Sequence, residues 1–350
     1  MTFVDEVKSA VTVRAALLVI GVLGLMVAFI TSYAGAFHSP KPKDIAFAVV
    51  APEQISTGTV QRLNALPGGA LDARAVKDRA TATRQLRDRD IDGALLVDPA
   101  GTTDTLLVAS GGGASLSGAV ELVVSAVEKA ERRTVRVVDV APADQGDARG
   151  LSSFYLVVGW CVGGYLCAAI LAISHGARPA NVQRALIRLA ALAVYSIAAG
   201  LLGALIIGPV LSALPGNYLA LSGLGALVVF AVGATTLAFQ GLAGIIGIGL
   251  AILVVVVLGN PSAGGAYPYP LLPPFWKAIG PALPPGAGTW TARSIAYFRG
   301  NAVTGPLLVL SAWAVAGAAV TMVMAGVRKK ETGEDPLETG PPSPASPGHL

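Results

Sequence analysis

Along most of the chain, uncharged apolar stretches of roughly twenty residues recur, broken by one long polar interval in which apolar positions alternate. A bilayer core is about 30 Å thick and a helix rises about 1.5 Å per residue, so roughly 20 apolar residues suffice to cross it. Such runs cover 15–37, 153–173, 189–214 and 305–327. The nearly unbroken run 218–259 would be roughly 60 Å long as one helix. It is expected to turn at Gln240-Gly241, its most polar and flexible point, giving spans over 219–239 and 242–258.

The polar interval follows different periods. "DIAFAVVAP" (44–52), "ALDARAV", "DGALLVDP" (92–99), "TDTLLVASG" and "TVRVVDV" carry the apolar pattern of strands. "EQISTGTVQRLNAL" and "KDRATATRQLRDRDI" carry that of helices, and Leu116, Val120, Val123, Val127 and Ala130 recur every three or four residues in a third. Strands alternating with helices in this way predict one α/β domain over 38–150.

Composition supports a membrane class: 53% of residues are hydrophobic and 13% charged, with a net charge of +4. Basic residues then orient the spans. Arg178, Arg184 and Arg188 crowd one short loop without an acid, and Arg328-Lys329-Lys330 follow the last span. Both are cytoplasmic markers. The expected fold is therefore a polytopic α-helical membrane protein with six transmembrane helices, both termini cytoplasmic and the α/β domain extracytoplasmic. Residues 151–327 form a five-helix membrane domain with a re-entrant helical hairpin over 260–300. The Pro-, Ser- and Glu-rich tail over 328–350 is expected to be disordered. Ala34-Gly35-Ala36 is similar to a signal cleavage site, but Asp5, Glu6 and the length of the run favour an uncleaved anchor. Before it, Phe3, Val7 and Val11 share one helical face, which predicts an interfacial helix over 1–14.

Little in the chain suggests covalent chemistry. "GGGASLSG" (111–118) lacks the Gly-Lys-Ser/Thr of a phosphate-binding loop and reads as a turn. His38, His175 and His349 are scattered, and Cys161 and Cys167 lie six residues apart on different helix faces. Arg84, Arg87, Asp88, Arg89, Asp90 and Asp92 read as a solvated helix face. No enzyme activity, cofactor, metal or nucleic-acid partner is expected. The spans hold no ionisable residue away from their ends, which argues against ion-coupled transport. Gly159 and Gly163 form a GxxxG suited to close helix packing.

The stretch 259–286, "GNPSAGGAYPYPLLPPFWKAIGPALPPG", is rigid and apolar where a loop would ordinarily be polar. Asn260-Pro261 and Gly264-Gly265 are expected to end the fifth helix. "LLPPFWKAI", with Phe275 and Trp276, is too short to span, and Pro284-Pro285-Gly286 should turn the chain into a second short helix over 290–298. Such backbone is tolerated at membrane depth only under cover of protein or around a water-filled cavity.

One span, a large outside domain and five further spans, with "ATRQLRDRDIDGALLV" (82–97), "GNPSAGG", "PLLPPFW", "LPPGA" and "ARSIAYFRG" (292–300), resemble the ABC-2 type transporter permeases, in the group of YhgE/Pip-like (phage infection protein) membrane proteins. The resemblance implies a bacterial cell-membrane permease subunit without its own ATPase, paired as a homodimer or heterodimer, exporting an amphiphilic or lipid-like molecule. It implies an outer gate at Asn260, Pro261, Gly264, Gly265, Phe275, Trp276, Pro284, Pro285, Arg293, Tyr297 and Phe298. It implies contact with a separate nucleotide-binding ATPase through the N-terminal helix (Phe3, Val7) and Arg178, Arg184 and Arg188. The alternative is a non-transporting scaffold or receptor whose outside domain binds an envelope component or external particle. An apolar lateral cleft under the hairpin would favour export, and a sealed, dry interior the scaffold.

Overall fold

The computed structural model describes residues 12–176, 179 and 181–333. Phe3, Val7, Arg178 and the tail from 334 onwards lie outside the described residues. Helix α1 (Val13–Phe37) opens at Thr12, whose side chain accepts from Ala15 N. It leads into a five-stranded sheet of order β2-β1-β3-β4-β5, with β1 (Ile45–Val50), β2 (Leu71–Ala75), β3 (Gly93–Leu96), β4 (Thr103–Val108) and β5 (Thr134–Asp139). All neighbours are parallel except β3 and β4.

Three helices cover the sheet: α2 (Glu53–Asn64), α3 (Arg79–Asp88) and α4 (Ala114–Ala130). Side chains alternate between the faces of a strand. Phe47, Val49, Leu95 and Leu106 meet Leu63 of α2 and Val120 and Val124 of α4, while Ala48, Ala94 and Leu107 meet Ala82 and Leu86 of α3. Each of these elements lies where the alternation predicts. At the β3–β4 turn, buried Asp104 takes a two-point contact from Arg133, with Nε 2.7 Å from Oδ2 and Nη2 2.5 Å from Oδ1. The same guanidinium donates to the carbonyls of Asp98 and Gly101.

The remaining helices are α5 (Ser152–His175), α6 (Val182–Leu205), α7 (Tyr218–Ala243), α8 (Ile246–Ser262), α9 (Pro274–Ile279), α10 (Pro284–Tyr297) and α11 (Thr304–Gly333). Five of the helices, α1, α5, α6, α7 and α11, are long and apolar enough to cross a membrane. The chain is thus mostly helical, with apolar helices compatible with a multi-pass membrane protein and a small sheet unit.

The structure departs from the expected boundaries in several places, each with a local cause. Helix α7 runs through Gln240, which is buried and directs Nε2 to the carbonyl of Ala168 at 3.4 Å. The break falls instead at Gly244, whose φ of 62° suits glycine. The expected fifth span is the shorter α8, 17 residues long, widening into π turns over Leu253–Gly259. Helix α6 starts well before 189 and takes Arg184 and Arg188 into its first turns, then widens around Pro209 before ending. Pro284 and Pro285 open α10 rather than turning the chain ahead of it, because a first helical turn needs no N–H from them. Finally, α11 carries the backbone beyond 328 to Gly333, where the disordered tail was expected to have begun.

Helix α7 is the hub against which α5, α6 and α11 pack. The closest backbone approaches are made at glycines outside the GxxxG. A Cβ on Gly200 would lie 2.3 Å from Ser222 O, and one on Gly164 2.7 Å from Val229 O. Gly163 faces only the Tyr195 side chain, and Gly159 has open space beside it. Helix α1 stands apart, leaning mainly on α8, where Ser32 donates to Val257 O.

Gly200→Leu should therefore destabilise the chain by about 1–3 kcal/mol or more through overpacking, while Gly159→Leu is silent; thermal melts in detergent distinguish the two. Arg133→Ala leaves Asp104 buried without its cation and is expected to cost about 3–5 kcal/mol in the same assay.

Candidate functional site

The chemically richest region is the junction between the sheet unit and α10. Helix α10 is buried along most of its length, its Pro284–Ala292 stretch set among α5, α7, α8 and α11. Close approach again requires small residues: a Cβ on Gly288 would meet Val157 of α5 at 2.7 Å. Trp313 of α11 donates to Ala282 O just before α10 at 2.8 Å, and Trp290 in mid-α10 donates to Ala302 O in the turn before α11 at 2.9 Å.

Arg293 is the buried centre of this junction. Its guanidinium donates to Gly264 O (2.6 Å), Gly265 O (2.7 Å) and Gly150 O (3.0 Å). Those carbonyls belong to the exit from α8 and to the entry into α5, so one side chain joins three segments distant in sequence. Gly264 adopts φ 69°, and a Cβ on Gly265 would strike the Phe154 ring at 2.3 Å. Tyr297 donates to Asp147 Oδ2 at 2.7 Å, and Asp147 Oδ1 accepts from Ser152 N, the start of α5.

Arg89, which ends α3 in the left-handed region (φ 63°), docks from the sheet side. Its guanidinium lies 3.4 Å from the Trp290 ring centre and 4.9 Å from that of Phe298, and donates to Ser294 Oγ and Trp290 O. Tyr269 stacks near Trp290 with centroids 6.0 Å apart. Desolvated cation–π contact of this kind is worth about 2 kcal/mol. Beside it, Asn301 donates to Asp88 Oδ1 at 2.8 Å. The charged run of α3 is therefore solvated only in part: Arg84, Arg87 and Asp90 are exposed, while Arg89 and Asp88 hold the segment around α10. Burial pushes the Asp92 carboxyl up to about 6, opposed by Arg89, by the Ala46 amide and by Lys277.

Of the expected gate residues, the junction unites Gly264, Gly265, Arg293, Tyr297 and Phe298. Asn260 and Pro261 are buried in the last turn of α8, and Pro285 packs on Gly259. Phe275 and Trp276 stand away from it, touching each other edge to face, with Phe275 57% exposed. Arg184 is exposed, whereas Arg188 is buried and donates to Gly176 O at 2.8 Å. The sequence assigned Arg89 and Asp92 only to a solvated face and gave Tyr269 and Trp290 no site role, since Arg89 meets Trp290 from 201 residues away. Among the described residues no group of three or more His, Cys, Asp or Glu is placed to hold a metal.

Of the cavities that adjoin the junction, two are roomy. A largely apolar one of about 440 Å³ opens between the α9–α10 connection and the start of α11, lined by Tyr269, Pro281, Ala287, Trp290, Ala302 and Pro306. The other, of about 880 Å³, lies between α3 and the end of α10. No family model, curated protein or solved structure matches the chain.

Arg293→Ala would strand three buried carbonyls and is expected to destabilise the chain by about 3 kcal/mol or more, read as loss of protease resistance at Gly264-Gly265. Asp92 binds its proton more tightly folded than unfolded. Its contribution to stability is full below its ordinary value of 3.8 and is lost as pH rises through about 6. Melting temperatures of the parent should thus fall more steeply across that window than those of Asp92→Asn.

Proposed function

We propose that this chain is the membrane permease subunit of an ABC-2-like exporter, moving an amphiphilic or lipid-like molecule with a separate nucleotide-binding ATPase. The observation that carries this reading is the hairpin α9–α10, its second helix buried, with an apolar cleft of about 440 Å³ beside it. A proline-started helix wedged among the ends of four others is suited to capping a pathway, and an apolar lateral opening is suited to an acyl chain. Helix α8, at the lower length limit for a crossing, counts as the sixth span. Both termini then face the cytoplasm, and the sheet unit and hairpin lie outside the bacterial cell membrane. The spans lack mid-membrane ionisable residues, so the driving energy comes from the partner ATPase rather than from a coupled ion. Exposed Arg184, with Arg178 and the N-terminal residues Phe3 and Val7, faces that ATPase. Two copies, or one and a similar partner, face each other across the pathway; α1, apolar and exposed over nearly its whole surface, suits lipid or a second subunit.

The close packing of α7 against α5, α6 and α11 favours a second reading, a scaffold or receptor whose sheet unit binds an envelope component or external particle. Purification from native membranes in mild detergent separates the two. The exporter reading expects an ATPase subunit at near-equal amount whose hydrolysis depends on this chain. It also expects Pro284→Ala/Pro285→Ala to lower export severalfold. Recovery of the chain alone, or with envelope components only, overturns it.

A further inference from the structure

The larger cavity, of about 880 Å³, has a composition that neither reading uses. Four guanidinium-bearing residues line it: Arg79, Arg84 and Arg87 from α3, and Arg299 from the turn between α10 and α11. Residues 79, 83 and 87 are four apart and so share one face of α3, while Ala82 and Leu86 on the other side are buried against the sheet. The helix thus presents its basic face to the cavity because its apolar face is already spent on the sheet. Among the described residues none of the four arginines forms an ion pair; Arg84 donates only to its neighbour Thr81 at 3.3 Å. The acids nearby are themselves engaged: Asp147 accepts from Tyr297, which lines the cavity. Asp88 lines the cavity but is engaged by Asn301, and Asp78, which interacts with Arg84 through charge, is occupied in capping α3 at Thr81 N.

Four cations around one cavity, with the neighbouring carboxylates already engaged, repel one another. Guanidinium groups match phosphate oxygens two at a time, so a phosphate would relieve that repulsion and gain charge-assisted hydrogen bonds. The opposite wall is apolar: Val140, Pro142, Pro215 and Ala296. Pro215 lies three residues before α7 begins, and Asn301, also at the rim, three before α11 begins. The cavity therefore sits at the level where spanning helices start, half basic and half apolar. This is where a membrane lipid changes from headgroup to chain.

We propose that the α3–α10 cavity binds the phosphate-bearing headgroup of an anionic membrane phospholipid, with Arg79, Arg84, Arg87 and Arg299 holding the phosphate and the Pro142–Pro215 wall receiving the glycerol and upper chain. This requires the chain to lie in a membrane but not that it exports anything, so it stands or falls apart from the ATPase experiment.

The test uses the full chain purified in a neutral detergent and titrated with short-chain phosphatidylglycerol and phosphatidylcholine, binding being read by native mass spectrometry. Phosphatidylglycerol should bind about tenfold more tightly or better, since both lipids present the phosphate but the choline cation of phosphatidylcholine is repelled by the same arginines, and its affinity should fall as salt is raised. Arg84→Gln/Arg87→Gln/Arg299→Gln should abolish the preference with an unchanged melting temperature, all three side chains being exposed. Arg74→Gln/Arg136→Gln, on β2 and β5, should leave it intact. Soluble glycerol phosphate should compete only weakly. Equal binding of the two lipids, indifference to salt or to the triple variant, or full competition by glycerol phosphate (which would mean a free-phosphate site) each overturns the proposal.

Discussion

Arg293 carries a constraint on which the rest of the architecture depends. A buried guanidinium must find acceptors, and here it finds the carbonyls of Gly150, Gly264 and Gly265. None is a side-chain partner, so the chain itself must be brought to the arginine. The end of the sheet unit, the exit from α8 and the middle of α10 converge because of it. Asp147 reinforces the same point from a second direction, accepting from both Tyr297 and the first amide of α5.

Once these segments converge, the hairpin has little freedom. Its first part runs under the sheet, where Ser115 donates to Ala266 O and Lys43 N to Pro270 O, and Leu271 joins the sheet's own core. Its second part, α10, is surrounded by helices. Arg89 then closes the junction from α3 by stacking on Trp290. Motion of the hairpin relative to the sheet unit must break this stack together with the Asn301–Asp88 contact. The sheet unit and the hairpin are accordingly coupled mechanically, and whatever occupies the cavity between them bears on both.

Much of this was legible in the sequence. Period-two and period-3.6 patterns place every strand and helix of the sheet unit, because each element has one face on a core and the pattern records it. The long apolar runs place α1, α5, α7 and α11 for the same reason, with lipid taking the place of a core. The hairpin was legible from its prolines and glycines as an interruption too rigid for a loop. Its internal boundaries were not, since Pro284-Pro285 can end one helix or open the next, and only the surrounding helices select between them. The GxxxG at Gly159 and Gly163 identifies a helix face without saying what lies opposite: Gly163 meets Tyr195, and Gly159 has open space beside it. Gly164 and Gly200 carry the packing instead.

The sequence by itself thus determined the apolar helices, the alternation of the sheet unit and the existence of a rigid interruption, all of which depend on neighbours within a turn or a strand. Only the tertiary structure decided that Arg89 stacks on Trp290, that Arg293 binds three carbonyls, and that the exposed basic face of α3 borders a cavity shared with the end of α10. The physical reason is range. Local patterning is written in residues a few positions apart, whereas a charge acquires its role from whichever groups folding brings within about 4 Å of it, and here those groups come from the far end of the chain.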